Sequence, residues 1–124
     1  MGRPYRGGMQ DFRKLIVWQK AQALSTRLDP VVDRIAATRP SLADQIDRCA
    51  NSISANIAEG CGRETKADKK RFFTMGIGSS TEIESHFIRA RNAGLIAPAE
   101  CESFTADSTE IRKMLHALRK RLDD

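Results

Sequence analysis

Aromatic residues make up only 6% of this 124-residue chain. A core without them has to be built from Leu, Ile, Val and Ala, which suits helices. Long apolar runs are missing too: the longest stretches are a few residues, far short of the roughly 20 a membrane span requires. Arg3 and Arg6 are followed by no apolar run, so no signal peptide is expected. Met1-Gly2 lacks the Ser or Thr of a myristoylation site. These absences point to a cytoplasmic protein.

Chemistry-bearing residues are equally sparse. Cys49, Cys61 and Cys101 are odd in number and far apart, with no CxxC or Cys/His spacing, which argues against a zinc site and a disulfide framework. Cys49 and Cys101 fall on apolar helical stripes, where a thiol acts as a small hydrophobe. The histidines are His86 and His116, and with no strand-turn-helix context they offer no nucleophilic triad. A di-metal carboxylate bundle needs Glu-x-x-His pairs; His86 instead follows Glu82 by four residues, and Lys113 stands three before His116. Arg112 and His116 are one turn apart, tighter than the Arg/His pairs of helical ribonucleases. Gly76-Ile77-Gly78-Ser79-Ser80 lacks the strand and the Lys-Ser/Thr pair of a phosphate loop. Gly76 and Ser80, one turn apart, are better read as sites where another backbone approaches closely. No catalysis, metal, cofactor or small-molecule substrate is expected.

What is present is a helical pattern. The 40% hydrophobic and 30% charged content is that of a globular protein, and the length suits one domain. Residues 1–10, rich in Gly and Arg, read as a flexible basic arm, and residues 11–124 as the folded unit. Helix 1 is expected from Asp11 or Phe12. Its Val17, Ala21, Leu24, Leu28, Val31 and Ile35 recur at alternating steps of four and three. Pro30 should kink this helix without ending it; Arg39-Pro40 ends it. Helix 2 is expected from Ser41, with Asp44 completing something close to a capping box. It carries Leu42, Ile46, Cys49, Ile53 and Ile57 to Gly60 and Gly62. Helix 3 spans about Thr65 to Asn92, roughly 40 Å, and Gly94 terminates it. Helix 4 opens at Pro98 and repeats the four-three pattern through Cys101, Phe104, Ser108, Ile111, Leu115, Leu118 and Leu122. Short connections make neighbours antiparallel, giving an all-α, up-down-up-down four-helix bundle.

Two polar features stand out. On helix 2, Gln45, Arg48, Ser52, Asn56, Glu59 and Arg63 fall within a stripe roughly 80° wide beside the apolar stripe. Such a ladder suits a wet seam between helices or subunits, with Arg48 paired to Glu59 or Glu82. The net charge of +5 and pI near 9.4 favour polyanionic partners. Arg63, Lys66, Lys69, Lys70 and Arg71 form the densest basic cluster. Arg3, Arg6, Arg13, Lys14 and Lys20 form a second, and an up-down bundle should join the two into one basic cap. Phosphate oxygens are its natural match. The basic second half of helix 4, including Arg119, Lys120 and Arg121, is explained by the helix dipole.

The segment Phe12-Arg-Lys-Leu-Ile-Val-Trp18-Gln-Lys20-Ala resembles the opening of the four-helix-bundle proteins encoded in 23S ribosomal RNA intervening sequences. Residues 45–63, with Gln45, Arg48, Ser52, Asn56, Glu59, Gly60 and Arg63, resemble that family's most specific stretch. Arg71-Phe72, Gly78-Ser79 and Glu82-Ile-Glu84 continue the resemblance, which covers nearly everything from Asp11 to Leu122. The family is similar to the accessory protein of diversity-generating retroelements. The resemblance implies a ring-like homopentamer, nucleic acid (RNA first) as ligand, and no catalysis. A protein-interaction accessory for an enzyme such as a reverse transcriptase is the alternative. Pro30 and the Gly/Arg arm depart from the family pattern.

Overall fold

The computed structural model describes residues 11–123; the arm expected over residues 1–10 lies outside them. A short 3-10 helix, Phe12–Lys14, precedes four α-helices: α1 Ile16–Ala36, α2 Pro40–Cys61, α3 Lys66–Asn92 and α4 Pro98–Arg121. Each helix packs on the next, and α1 closes the bundle against α4. This is the expected up-down-up-down arrangement. Among the described residues no helix is long and apolar enough to cross a membrane.

The six apolar positions read for helix 1 are all buried, as the alternating four-three spacing requires. Its start differs from the expectation. Asp11 accepts a hydrogen bond from the Arg13 backbone N–H at 3.1 Å, capping the 3-10 turn. Leu15 is then extended, and α1 begins only at Ile16. The break folds the Phe12 ring edge-on against Trp18, with centroids 5.0 Å apart. The helix runs unbroken through Pro30. Pro30 removes the donor that the Thr26 carbonyl would otherwise receive, and both residues are exposed, so water can replace it.

The expected capping box at Ser41 and Asp44 does not form. Arg39 is the N-cap, with no side-chain cap, and Pro40 takes the first helical position. Its fixed φ already suits the helix, and its missing N–H would have been unpaired there in any case. Asp44 turns to Arg48 instead. α3 begins close to where the sequence places it, and the Thr65 hydroxyl caps it by accepting from the Asp68 N–H at 3.1 Å. Gly94, at φ +73°, turns the chain out of α3, a conformation that disfavours other residues.

Glycines set the distances between helices at two points. A Cβ on Gly60 would lie 2.6 Å from Phe73 Cε1, so the bare backbone makes room for that ring. A Cβ on Gly76 would meet Leu115 Cδ1 at 3.2 Å and Asn56 Cβ at 3.8 Å. The close approach expected at Gly76 and Ser80 is therefore spent inside the protomer, where α3 meets α2 and α4. The fully buried Ser80 supplies a carbonyl that accepts from the Ser108 hydroxyl at 2.7 Å. Between α1 and α4 the closing seam is edged by ion pairs: Lys20 with Glu110 at 2.6 Å, Arg27 with Asp107, and Arg34 with Glu100 at 2.9 Å.

Candidate nucleic-acid interface

Four alternating helices place the starts of α1 and α3 and the ends of α2 and α4 at one pole. The side chains meet accordingly. Phe12 and Arg63 line one depression with Ala58, Glu59 and Gly62. Lys14 and Arg121 line another with Ile16 and Met114, and Lys70 is bonded to Asp123. Arg13, Lys14, Arg63, Lys66, Lys70 and Arg71 thus gather at one end, joined by Arg119, Lys120 and Arg121.

Several of these cations have carboxylate partners. Arg13 pairs with Asp11 at 2.9 Å, Arg63 with Glu59 at 3.0 Å and Arg71 with Asp68 at 3.8 Å. All are solvent-exposed pairs that water and salt screen, so an incoming phosphate can exchange for the carboxylate at little cost. Hydrogen bonds from Arg13 hold the Asp11 carboxyl below its ordinary range, and a bond from Lys70 does the same for Asp123. Phe72 adds an aromatic surface to the pole. Its ring lies 4.6 Å from the Arg63 guanidinium and 4.5 Å from that of Arg71. Planar cations held on a ring are the groups on which nucleobases stack.

Two residues of the predicted basic set are placed differently from the rest. Lys69 is 1% exposed. Its ammonium donates to the Gly60 carbonyl at 3.1 Å and the Cys61 carbonyl at 3.2 Å, so it caps the last turn of α2 from within and cannot reach a ligand. Burial pushes its pKa down, with nearby Cys61 opposing. Lys20, one turn into α1, turns toward α4 to pair with Glu110, which raises its pKa.

The polar stripe of α2 lies along its junction with α3. Asn56 is buried, Ser52 half-buried, and Gln45, Arg48, Glu59 and Glu82 are exposed. Asn56 Nδ2 donates to the Ser52 carbonyl at 2.8 Å and to Ser52 Oγ at 3.0 Å; Ser52 Oγ is 2.9 Å from Ser79 Oγ. Further along, Gln45, Arg48, Cys49, Ser52, Ser79 and Glu82 line a groove of about 240 Å³. The pairing expected for Arg48 is not found. Arg48 bonds Asp44 at 2.8 Å, one turn away on its own helix, and is 79% exposed. Glu59 stands three turns further on, roughly 16 Å along the axis, and pairs with Arg63. The Cys49 thiol donates to the Ser79 carbonyl at 3.1 Å. Its pKa is pushed up to about 12, first by burial and then by the charge of Glu82, so it is a poor nucleophile.

Arg119, Lys120, Arg121 and Phe72 were not assigned to this surface from sequence. The dipole account of the α4 cations is sound but incomplete: with an even number of antiparallel helices, the last must end where the first begins. That signal was available. Phe72, beside the core residue Phe73, has no local signature separating the two.

Similarity to known proteins agrees with this architecture. No curated protein matches the chain. A crystal structure at 1.70 Å of a protein of unknown function from the S23 ribosomal protein family of Bacteroides thetaiotaomicron VPI-5482 superposes with a TM-score of 0.80. It is 25% identical, and the alignment covers 85% of this chain and 96% of that one. The family model described as 23S rRNA-intervening sequence protein matches residues 13–117, nearly the whole bundle, and the chain belongs to that family.

Proposed function

We propose that this protein is a non-catalytic, oligomeric RNA-binding protein that holds a phosphate backbone against its basic pole. The observation that carries this reading is the convergence of Arg13, Lys14, Arg63, Lys66, Lys70, Arg71, Arg119, Lys120 and Arg121 on one end of a small bundle, around the Arg-flanked ring of Phe72. Exposed cations track phosphates and carry little sequence information, so binding is tight at low salt and weakly selective. The homopentamer expected from the family resemblance complements this reading. A ring built on the α2–α3 groove, through Gln45, Arg48, Ser52, Glu59 and Glu82, would repeat the basic pole around one rim.

The test is a salt titration of binding to a single-stranded RNA. Replacing Lys66, Lys70 and Arg71 together by Ala should weaken binding and reduce the slope of log K against log salt by roughly 0.7 per lost phosphate contact. Replacing Arg89 and Arg91, at the opposite pole, should change little. Parent-like binding by the first variant would remove the basic pole from the account, and an accessory role toward a partner enzyme would take its place.

A further inference from the structure

We propose that Cys49, Glu82 and His86 form a binding site for a thiophilic divalent transition ion, zinc first, at the α2–α3 groove. Three ligand atoms from these side chains, one per residue, lie within 4.8 Å of one another. Glu82 and His86 stand one turn apart on α3, with His86 Nε2 3.1 Å from Glu82 Oε2. That i, i+4 spacing presents two ligands on one helical face, as in helical zinc half-sites. The third ligand comes across the interface from α2. Tetrahedral zinc at ordinary bond lengths needs S, N and O ligands about 3.4–3.6 Å apart, so atoms now within 4.8 Å of one another close on the ion by side-chain shifts of about 1 Å. The exposed Glu82 carboxylate can supply them.

The donor set selects the class of ion. A thiolate, an imidazole and a carboxylate suit zinc and its neighbours, whereas magnesium and calcium prefer oxygen alone. The groove beside the trio, lined by Gln45, Arg48, Ser52 and Ser79, leaves the fourth position to water in a lone protomer and to water or a neighbouring copy's side chain where the groove is a ring contact. Electrostatics favour a cation here too. Burial first and the Glu82 charge second work against ionising Cys49, and a metal ion bonded to both side chains offsets the second. Binding exchanges the Cys49 S–H proton for a sulfur–metal bond. The proton passes to solvent, and the Ser79 carbonyl loses its thiol donor. Binding therefore tightens as pH rises.

The experiment is a cobalt(II) titration of the full, untagged, reduced chain, followed by competition with zinc. We expect one equivalent to give a thiolate-to-cobalt charge-transfer band with visible bands of tetrahedral intensity, bleached by zinc. Cys49→Ser should abolish the charge-transfer band. His86→Gln and Glu82→Gln, at less buried positions, should each weaken binding by about tenfold or more, while Cys61→Ser and Cys101→Ser should leave the spectrum unchanged. Circular dichroism of each variant confirms the fold. Absence of the band at equimolar metal, or a band that survives Cys49→Ser or is indifferent to His86→Gln, overturns the proposal. RNA binding is measured separately, so failure here leaves the basic pole untouched.

Discussion

Lys69 offers the sharpest test of how α2 is terminated. Its ammonium is 1% exposed and holds the Gly60 and Cys61 carbonyls, which no longer have helical donors. Gly60 also accepts from the Arg63 N–H at 3.2 Å. Lys69→Met keeps most of the apolar stem and removes the charge. The loss is two charge-assisted hydrogen bonds, each worth about 1.5–3 kcal/mol, offset by relief from burying an ammonium with no carboxylate partner. A net destabilisation of about 2 kcal/mol follows. Lys69→Ala also removes about three buried methylenes at about 0.8 kcal/mol each, bringing the total to about 4 kcal/mol. Urea melts, with exposed Lys14→Ala as a control expected within about 0.5 kcal/mol, measure the difference. The pH dependence has a definite sign. The folded pKa lies below the ordinary 10.5, so between the two values the unfolded chain binds more protons, and stability from this group rises with pH. The gap between the parent and Lys69→Met should widen through that window. The buried Cys49 thiol, whose raised pKa acts oppositely, cancels in the comparison; the Cys61 thiol is coupled to Lys69, so both proteins are compared in a Cys61→Ser background. A Lys69→Met variant as stable as the parent at neutral pH would refute the capping role.

Other perturbations follow from the same contacts. Gly60→Ala places a methyl 2.6 Å from the Phe73 ring and should cost about 1–3 kcal/mol, partly recovered by Phe73→Leu in thermal melts. Glu84→Ala removes the carboxylate from a half-buried pair that spans 2.6 Å and leaves Arg112 only its longer bonds to the Ser80 carbonyl and the Thr109 hydroxyl. We expect a loss of about 1–2 kcal/mol, between the values for exposed and buried pairs, with Glu84→Gln losing less in denaturant melts. In a lone protomer Arg48 makes one surface pair, so Arg48→Ala should change stability by about 0.5 kcal/mol or less. If the α2–α3 groove is an oligomer contact, Arg48→Ala should lower the mass seen by light scattering while Asp47→Ala does not.

The helices were legible because periodicity reports burial directly: every apolar position read for α1 is buried. Boundaries were less so. At Pro40 a backbone preference outweighed a side-chain cap, and at Leu15 the packing of Phe12 on Trp18 interrupted a pattern that local spacing would continue. For the basic pole, Arg63, Lys66, Lys70 and Arg71 are neighbours along the chain, and bundle topology is what adds Arg13 and Lys14 to them. Lys69 could not be separated from them, because its burial depends on where the α2 carbonyls end in space. Glu82 and His86 share an i, i+4 spacing visible in the sequence, but only the antiparallel register of α2 and α3 brings Cys49 to them.

Asp11 and Asp123 both sit at the basic pole, one capping the turn before α1 and the other bonded to Lys70. Anything fused to either end of the folded unit therefore emerges across the surface proposed to hold RNA. An affinity tag or fluorescent reporter joined directly at Asp11 or Asp123 would crowd that face, and a polyhistidine tag would also compete for cobalt. The turns around Thr38 and Gly94, at the far pole, are the places where a label can be carried without standing in the ligand's path.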